Sequence, residues 1–198
     1  MKEIFVFDMG CVILKPSYLD KMYEEANTDC EYKVFKDLFY NSEYSQKVYD
    51  GTINDDEFFK IIKEKTNSKK NIEELKMLYL KYKGDVYSST MNIIKKLKED
   101  GNTICLLSNL KELDYNYLSN VIDMNLFDKT YLSYLMKMSK PNKKIFQKVI
   151  NDLGTNRFYF FDDSIKNIEA AKNLGINAYN VTGENIEECF EKKLILRK

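Results

Sequence analysis

The sequence predicts an α/β protein, a Rossmann-like parallel sheet interrupted after its first strand by a helical insertion. Three observations carry that expectation. Wholly apolar runs of strand length, Ile4-Phe5-Val6-Phe7, Thr103-Ile104-Cys105-Leu106-Leu107 and Phe158-Tyr159-Phe160-Phe161, stop abruptly at polar residues, as strands buried on both faces do. From Val86 onward, helix-period and strand-like segments alternate, the pattern of β-α-β units. From about Ser17 to Lys83 no strand-like run occurs, and apolar residues recur at helical spacing among Lys, Glu, Tyr and Asn.

The first strand covers 4–7. Segment 15–85 reads as four or five helices, on patterns such as Phe58-Phe59-Ile61-Ile62 and Leu75-Leu78-Tyr79-Tyr82, each giving one apolar face. Met91-Ile93-Ile94-Leu97 is an amphipathic helix closed by Gly101, and strand 103–107 ends at Ser108. Then follow helix 110–120, a short strand near Thr130–Leu132, helix 142–152 after Pro141, strand 158–161, helix 165–174 stopped by Gly175, and strand 176–180. The core is therefore expected in 1–14 and 86–198, with 15–85 as the insertion.

Composition narrows the function. A chain of 198 residues, 44% hydrophobic, can bury one full core and a smaller second one. Thirty-one basic and 31 acidic residues cancel, so neither nucleic acid nor an anionic membrane is an expected partner. Cys11, Cys30, Cys105 and Cys189 lie far apart without a C-x-x-C pair, which fits free thiols in a reducing, cytoplasmic setting. Glu3 and Asp8 break the first apolar run before signal-peptide length, and no stretch approaches a membrane span. The chain contains no histidine, which excludes Ser-His-Asp and Cys-His hydrolases, H-E-x-x-H proteases and Cys2His2 zinc sites. Arg157 and Arg197 are the only arginines, so a bound phosphate would be held by lysine, amides and hydroxyls.

Polar residues directly after apolar strands sit where open α/β sheets bind ligands. Asp8 is the first, a carboxylate that becomes a nucleophile for phosphorus once fixed and desolvated, and Gly10 after it allows a sharp turn. Ser108 and Asn109 can donate to phosphate oxygens without adding charge. Lys140, in Ser139-Lys140-Pro141, is expected to point outward on a restrained backbone and to offer a positive charge. Asp162-Asp163 is the most specific feature, because adjacent carboxylates after an apolar strand repel unless a cation compensates, and magnesium takes hard oxygen ligands.

In this order the residues resemble the haloacid dehalogenase superfamily of phosphohydrolases. Phe7-Asp8-Met9-Gly10 is similar to its first motif, Leu107-Ser108-Asn109 to its second, Ser139-Lys140-Pro141 to its third, and Phe161-Asp162-Asp163-Ser164 with Asn167 to its fourth. Segment 15–85 lies where that family inserts its helical cap. The opening motif, Tyr49-Asp50-Gly51-Thr52-Ile53 and Phe-Phe-Asp-Asp look similar to a bacterial subgroup that includes a phosphatase of glucose 1-phosphate and to epoxide hydrolase N-terminal domains. The resemblance implies a phosphatase of a small phosphorylated metabolite, a sugar phosphate being favoured, with Asp8 as nucleophile forming an aspartyl phosphate. It implies Mg2+ held by Asp8, the Gly10 carbonyl and Asp163, with Asp162 acting through water, and a phosphoryl group bound by Ser108, Asn109 and Lys140.

One departure stands out. Most phosphatases of the family carry a second Asp two residues after the nucleophile to protonate the leaving group; here that position is Gly10. Lys15, Tyr18 and Asp20 are candidates to replace it, and a sugar 1-phosphate needs less protonation because its leaving group is more acidic. Cap tyrosines Tyr18, Tyr23, Tyr44 and Tyr49 could meet a sugar ring. Competing readings are an inactive relative that binds a phosphorylated ligand or a protein partner, a receiver domain, whose motif order is the reverse, and a metal-independent dehalogenase. Cys11 is read as a small loop residue, since no histidine could activate it.

Overall fold

The computed structural model describes residues 2–193; Met1 and residues 194–198, the end of the predicted core segment and the place of Arg197, lie outside the described residues. Strands β1 (Ile4–Phe7), β2 (Thr103–Ser108), β3 (Lys129–Leu132), β4 (Tyr159–Asp162) and β5 (Asn177–Asn180) form one parallel sheet in the order β3-β2-β1-β4-β5. Parallel neighbours need crossovers. Helices α1 (Leu19–Glu25), α2 (Tyr32–Tyr40), α3 (Glu43–Tyr49), α4 (Asp55–Thr66), α5 (Ile72–Lys81) and α6 (Ser88–Glu99) lie between β1 and β2, and α7 (Glu112–Val121) joins β2 to β3. The short α8 (Ser133–Met136) and α9 (Lys143–Leu153) precede β4, α10 (Ile165–Lys172) precedes β5, and α11 (Ile186–Lys193) follows it.

Alternation along each strand builds two apolar layers. Phe5, Phe7, Ile104, Leu106 and Phe161 face one side and pack with Ile94 of α6, Leu118 of α7 and Phe190 of α11. Val6, Cys105, Leu107 and Phe160 face the other, against Phe146 of α9 and Ile168 of α10. Because both faces are covered, the central strands carry no polar residue until they leave the sheet, which is why the runs read as continuous. Helix α11 was absent from the sequence expectation; it follows a turn at Gly183 and contributes Phe190, whose ring centroid lies 5.0 Å from that of Phe161.

The insertion encloses its own apolar cluster, including Leu19, Phe35, Phe39, Phe58, Phe59 and Leu75. Its helices start where side chains satisfy the free backbone donors: Asn54 accepts from Glu57 N at 2.9 Å while Glu57 accepts from Asn54 N at 3.0 Å, and Asn71 and Glu74 repeat the device. The chain leaves and rejoins the core side by side, with Lys15 N donating to Asp85 O at 2.8 Å. A Cβ at Gly84 would lie 2.1 Å from Lys15 O, so the two crossings approach this closely only with glycine there.

Boundaries shift where caps intervene. Helix α7 begins at Glu112 because Lys111 is an extended N-cap (φ −84°, ψ 159°). Pro141 precedes α9 rather than starting it, since Asn142 caps that helix by accepting from Lys144 N at 3.0 Å. Among the described residues no helix is long and apolar enough to cross a membrane. Phe161 is fully buried and stacks on both Phe7 (5.0 Å) and Phe190; Phe161→Ala should cost about 3–5 kcal/mol in urea unfolding, and a loss below about 1 kcal/mol would contradict the central packing assigned to it.

Candidate active site

The strand order places a crevice beside β1: the chain passes to β2 and β3 on one side and returns to β4 on the other, the topology at which open α/β sheets bind ligands. Asp8 follows β1 directly and its N–H donates to Phe161 O at 2.8 Å. Asp162 is the last residue of β4 and Asp163 the next. Each of Asp8, Asp162 and Asp163 offers a carboxylate oxygen, all within 4.8 Å of one another. Two stretches far apart in sequence thus converge.

Lys140 departs from expectation. Instead of pointing outward it is 3% exposed, its Nζ 2.9 Å from Asp8 Oδ1 and 2.6 Å from Asp162 Oδ2, and it donates to Leu107 O at 2.9 Å. Two carboxylates at dry strand ends need a counter-charge, and that requirement outweighs lysine's preference for solvent. Burial alone would push Lys140 below the ordinary lysine range, but Asp162 and Asp8 more than reverse this and hold it above. Asp162 accepts further from Ser164 N (2.8 Å) and Asn167 Nδ2 (2.9 Å), so its oxygens are occupied by protein donors, whereas Asp163 is exposed.

Asp8 Oδ1 is buried and, despite the nearby ammonium, has no hydrogen-bond partner of proper geometry. Burial pushes the Asp8 carboxyl up to about 6, against the pull of Lys140 and with help from Asp162. A poorly solvated carboxylate beside two further carboxylates, with a single lysine between them, is a donor set for a hard cation. Ser108, at the end of β2, is 1% exposed. The Asn109 side chain pins the Lys140 backbone, Nδ2 donating to Lys140 O and Oδ1 accepting from Lys140 N, both at 2.9 Å. Asn109 therefore positions the lysine loop, a role its strand-end place did not reveal.

The turn after Asp8 is carried by Cys11, not Gly10: Cys11 has φ 57°, while Gly10 is outside the left-handed region. A Cβ at Gly10 would meet no atom within 4 Å. Packing therefore does not demand glycine there. The Cys11 thiol is pushed up to about 12 by burial and by Asp163, the opposite of an activated nucleophile.

A cavity of about 390 Å³ opens over these residues, walled on the far side by the helical insertion; Asp8, Gly10, Ser108, Asn109, Lys140 and Asn167 line its floor. Of the four cap tyrosines singled out from sequence, Tyr49 lines it, joined by Tyr32, Tyr40 and Tyr79. Tyr23 instead donates to Cys30 O at 2.7 Å. Lys15 and Asp20 border the cavity and Tyr18 does not.

Sequence reasoning missed a charged cluster joining insertion and core. Asp114 of α7 lies 2.5 Å from Lys83 Nζ and 3.1 Å from Lys111 Nζ, and Tyr79 OH donates to it at 2.9 Å. Lys83 and Lys111 both donate to Tyr79 OH, at 2.7 and 2.6 Å. The available signal was Lys111 just beyond the Ser108-Asn109 strand end with an acid three residues on, a spacing that otherwise reads as a surface pair. Burial would raise Asp114, but Lys111 and Lys83 hold it far below the carboxylate range. Its contribution is therefore complete above the unfolded value near pH 3.9 and fades as pH falls toward its folded one. Asp114→Asn, leaving two buried lysines unpaired, should cost about 3–5 kcal/mol at pH 7. In urea titrations this deficit should shrink below about pH 4; a deficit independent of pH would contradict the ion-pair account.

The chain is 25% identical over 191 residues to a D-ribitol-5-phosphate phosphatase of Bacteroides thetaiotaomicron, covering 90% of this chain and 91% of that one. It is 24% identical over 108 residues to a sesquiterpene phosphatase of Aspergillus oryzae, but that match spans only about half of either protein, 53% and 55%. In fold it resembles a haloacid dehalogenase family enzyme of Bacteroides thetaiotaomicron crystallised with magnesium and inorganic phosphate, with TM-score 0.79 and 23% identity over 92% of this chain and 96% of that one. A haloacid dehalogenase-like hydrolase of Porphyromonas gingivalis gives TM-score 0.78 and 20% identity over 100% and 99%. The family model for haloacid dehalogenase-like hydrolases matches residues 19–181. With that match across most of its length, the chain belongs to the haloacid dehalogenase-like hydrolase family.

Proposed function

We propose that the protein is a magnesium-dependent phosphatase of a small phosphorylated metabolite, a sugar or polyol phosphate being favoured. The observation that carries this reading is the convergence of Asp8, Asp162 and Asp163 within 4.8 Å around a buried lysine that lies 2.9 Å from Asp8 Oδ1. The donors fit a hard divalent cation: Asp8, Asp163 and the Gly10 carbonyl would hold it, and when bound it supplies charge stabilisation for phosphoryl transfer. Likeness to a polyol-phosphate phosphatase and to an enzyme that binds magnesium and phosphate supports the same chemistry.

The residues divide the work. Asp8 attacks phosphorus, releasing the alcohol and forming an aspartyl phosphate that water then hydrolyses. Lys140 and Ser108 stabilise charge on the transferring oxygens, and Asn109 keeps the Lys140 backbone in place. Asp162, saturated by Lys140, Ser164 and Asn167, orients rather than reacts. Segment 15–85 acts as the cap, excluding water from the cavity and selecting the leaving group.

Gly10 shapes what the enzyme prefers. Without an acid there, esters of poor leaving groups lose a contribution of about 10²–10⁴ in rate. The cavity offers Asp20 from the cap side as a carboxylate. Gly10 is also the observation that favours the second reading, a protein that binds a phosphorylated ligand without turning it over.

With p-nitrophenyl phosphate, whose leaving group needs no proton, the wild type should show activity that chelation abolishes and magnesium restores. Asp8→Asn should lower it by about three orders of magnitude or more. Retained activity in Asp8→Asn would refute the mechanism, and inactivity of the wild type would favour the binding protein. Because space is open at Gly10, Gly10→Asp should raise the ratio of alkyl phosphate to p-nitrophenyl phosphate turnover by about tenfold or more. An unchanged ratio would show that another group already protonates the leaving oxygen.

A further inference from the structure

The cavity above Asp8 has a second charged wall. Lys83, Tyr79 and Asp114 line it together with Tyr40 and Tyr49, and Lys111 lies directly behind them, 5.1 Å from the Tyr49 ring centroid. Two buried ammonium groups share one carboxylate: Asp114 Oδ1 takes Lys83 and Oδ2 takes Lys111. A second acid acting on both lysines is Asp55 of α4; its Oδ2 accepts from Leu113 N at 2.9 Å, and its Oδ1 has no hydrogen-bond partner among the described residues. Lys15, Lys36 and Asp20 also line the cavity. The wall opposite the phosphoryl site thus holds Lys83 and Lys111 against Asp114, which pairs directly with both, and Asp55, which acts on them only at longer range.

Burying an ammonium without a full counter-charge is costly unless the site gains something from it. Lys83 has three N–H donors; two go to Tyr79 OH and Asp114 Oδ1, and the third is left for the cavity that Lys83 lines. Tyr79 spends its own proton on Asp114 and accepts from both lysines, which fixes the ammonium in place. A preorganised donor with one free N–H, in a cavity already holding a phosphoryl site, has the character of an anion subsite.

We infer that Lys83, held by Tyr79 and Asp114 with Lys111 behind it, binds a second anionic group of the substrate, so that the preferred ester carries a carboxylate or a second phosphate away from the scissile phosphate. This rests on the phosphatase reading and narrows its substrate class. The local field agrees: burial, only partly offset by Asp114, holds Lys83 below the ordinary lysine range, and an anion seated against it would relieve that penalty.

Matched esters test the inference: glycerol 1-phosphate against 3-phosphoglycerate, and sorbitol 6-phosphate against 6-phosphogluconate and sorbitol 1,6-bisphosphate. In each set the acid-bearing ester differs only at the far end, and the bisphosphate separates phosphate from carboxylate recognition. The wild type should favour at least one acid-bearing ester in kcat/KM by about tenfold or more, chiefly through KM, as expected for one charge-assisted hydrogen bond. Lys83→Met should collapse that ratio toward one, Lys83→Arg should retain most of it, and Lys60→Met, on the exposed face of α4, should leave it as in the wild type. A purely structural cluster would lower stability in Lys83→Met without moving the ratio. Should Lys83→Met not fold, the wild-type ratios and Lys83→Arg still decide. A wild type that hydrolyses p-nitrophenyl phosphate with magnesium but shows no preference in either set overturns the anion subsite alone; absence of turnover on every ester overturns the phosphatase reading beneath it.

Discussion

The site depends on one buried ammonium group. Lys140 lies between Asp8 and Asp162 at 2.9 and 2.6 Å, with Leu107 O as a third acceptor. Two carboxylates could not stay ionised at these dry strand ends without it, and a lysine could not stay buried without them. The arrangement ties together β1, β2, β4 and the loop before α9. Asn109 locks that loop by pairing with both backbone groups of Lys140. Charge and backbone geometry therefore fix each other, and Asp8 is presented to the cavity from the end of β1.

The sheet and the polar edge that holds the candidate site were legible because a parallel strand covered on both faces must be apolar until it emerges. Phe161-Asp162 and Phe7-Asp8 mark those exits directly. Direction was less legible. Lys140 sits in a sequence where every neighbouring cue favours solvent, and only the convergence of Asp8 and Asp162, separated by over a hundred residues, explains its burial. The same limit hid the Lys83–Asp114–Lys111 cluster: lysines abound in this chain, and an i,i+3 Lys–Asp pair looks like a surface feature until Tyr79 of α5 is brought against it. Glycine at position 10 suggested a turn, yet the left-handed residue is Cys11.

Two charged networks thus flank one cavity. The floor is built around strand ends and is net acidic, with Asp8, Asp162 and Asp163 against Lys140, which suits a divalent cation. The far wall joins Tyr79 and Lys83 of the helical insertion to Lys111 and Asp114 of the core, so cap and core meet through a polar contact beside the apolar one that Leu113 makes with the insertion's cluster. Desolvated ion pairs of this kind contribute orientation more than net stability, which suits a wall that must hold a substrate's far end relative to Asp8. The absence of an acid at Gly10 leaves the reaction more dependent on leaving-group chemistry than the rest of the site would suggest.

The most direct test of the central claim is to quench a reacting enzyme with acid in the presence of magnesium and map the phosphoryl group by mass spectrometry. A phosphoryl group on the side chain of Asp8 during turnover is the predicted result. Steady turnover with the label on another residue, or with none at all, would contradict the assignment of Asp8 as the attacking group.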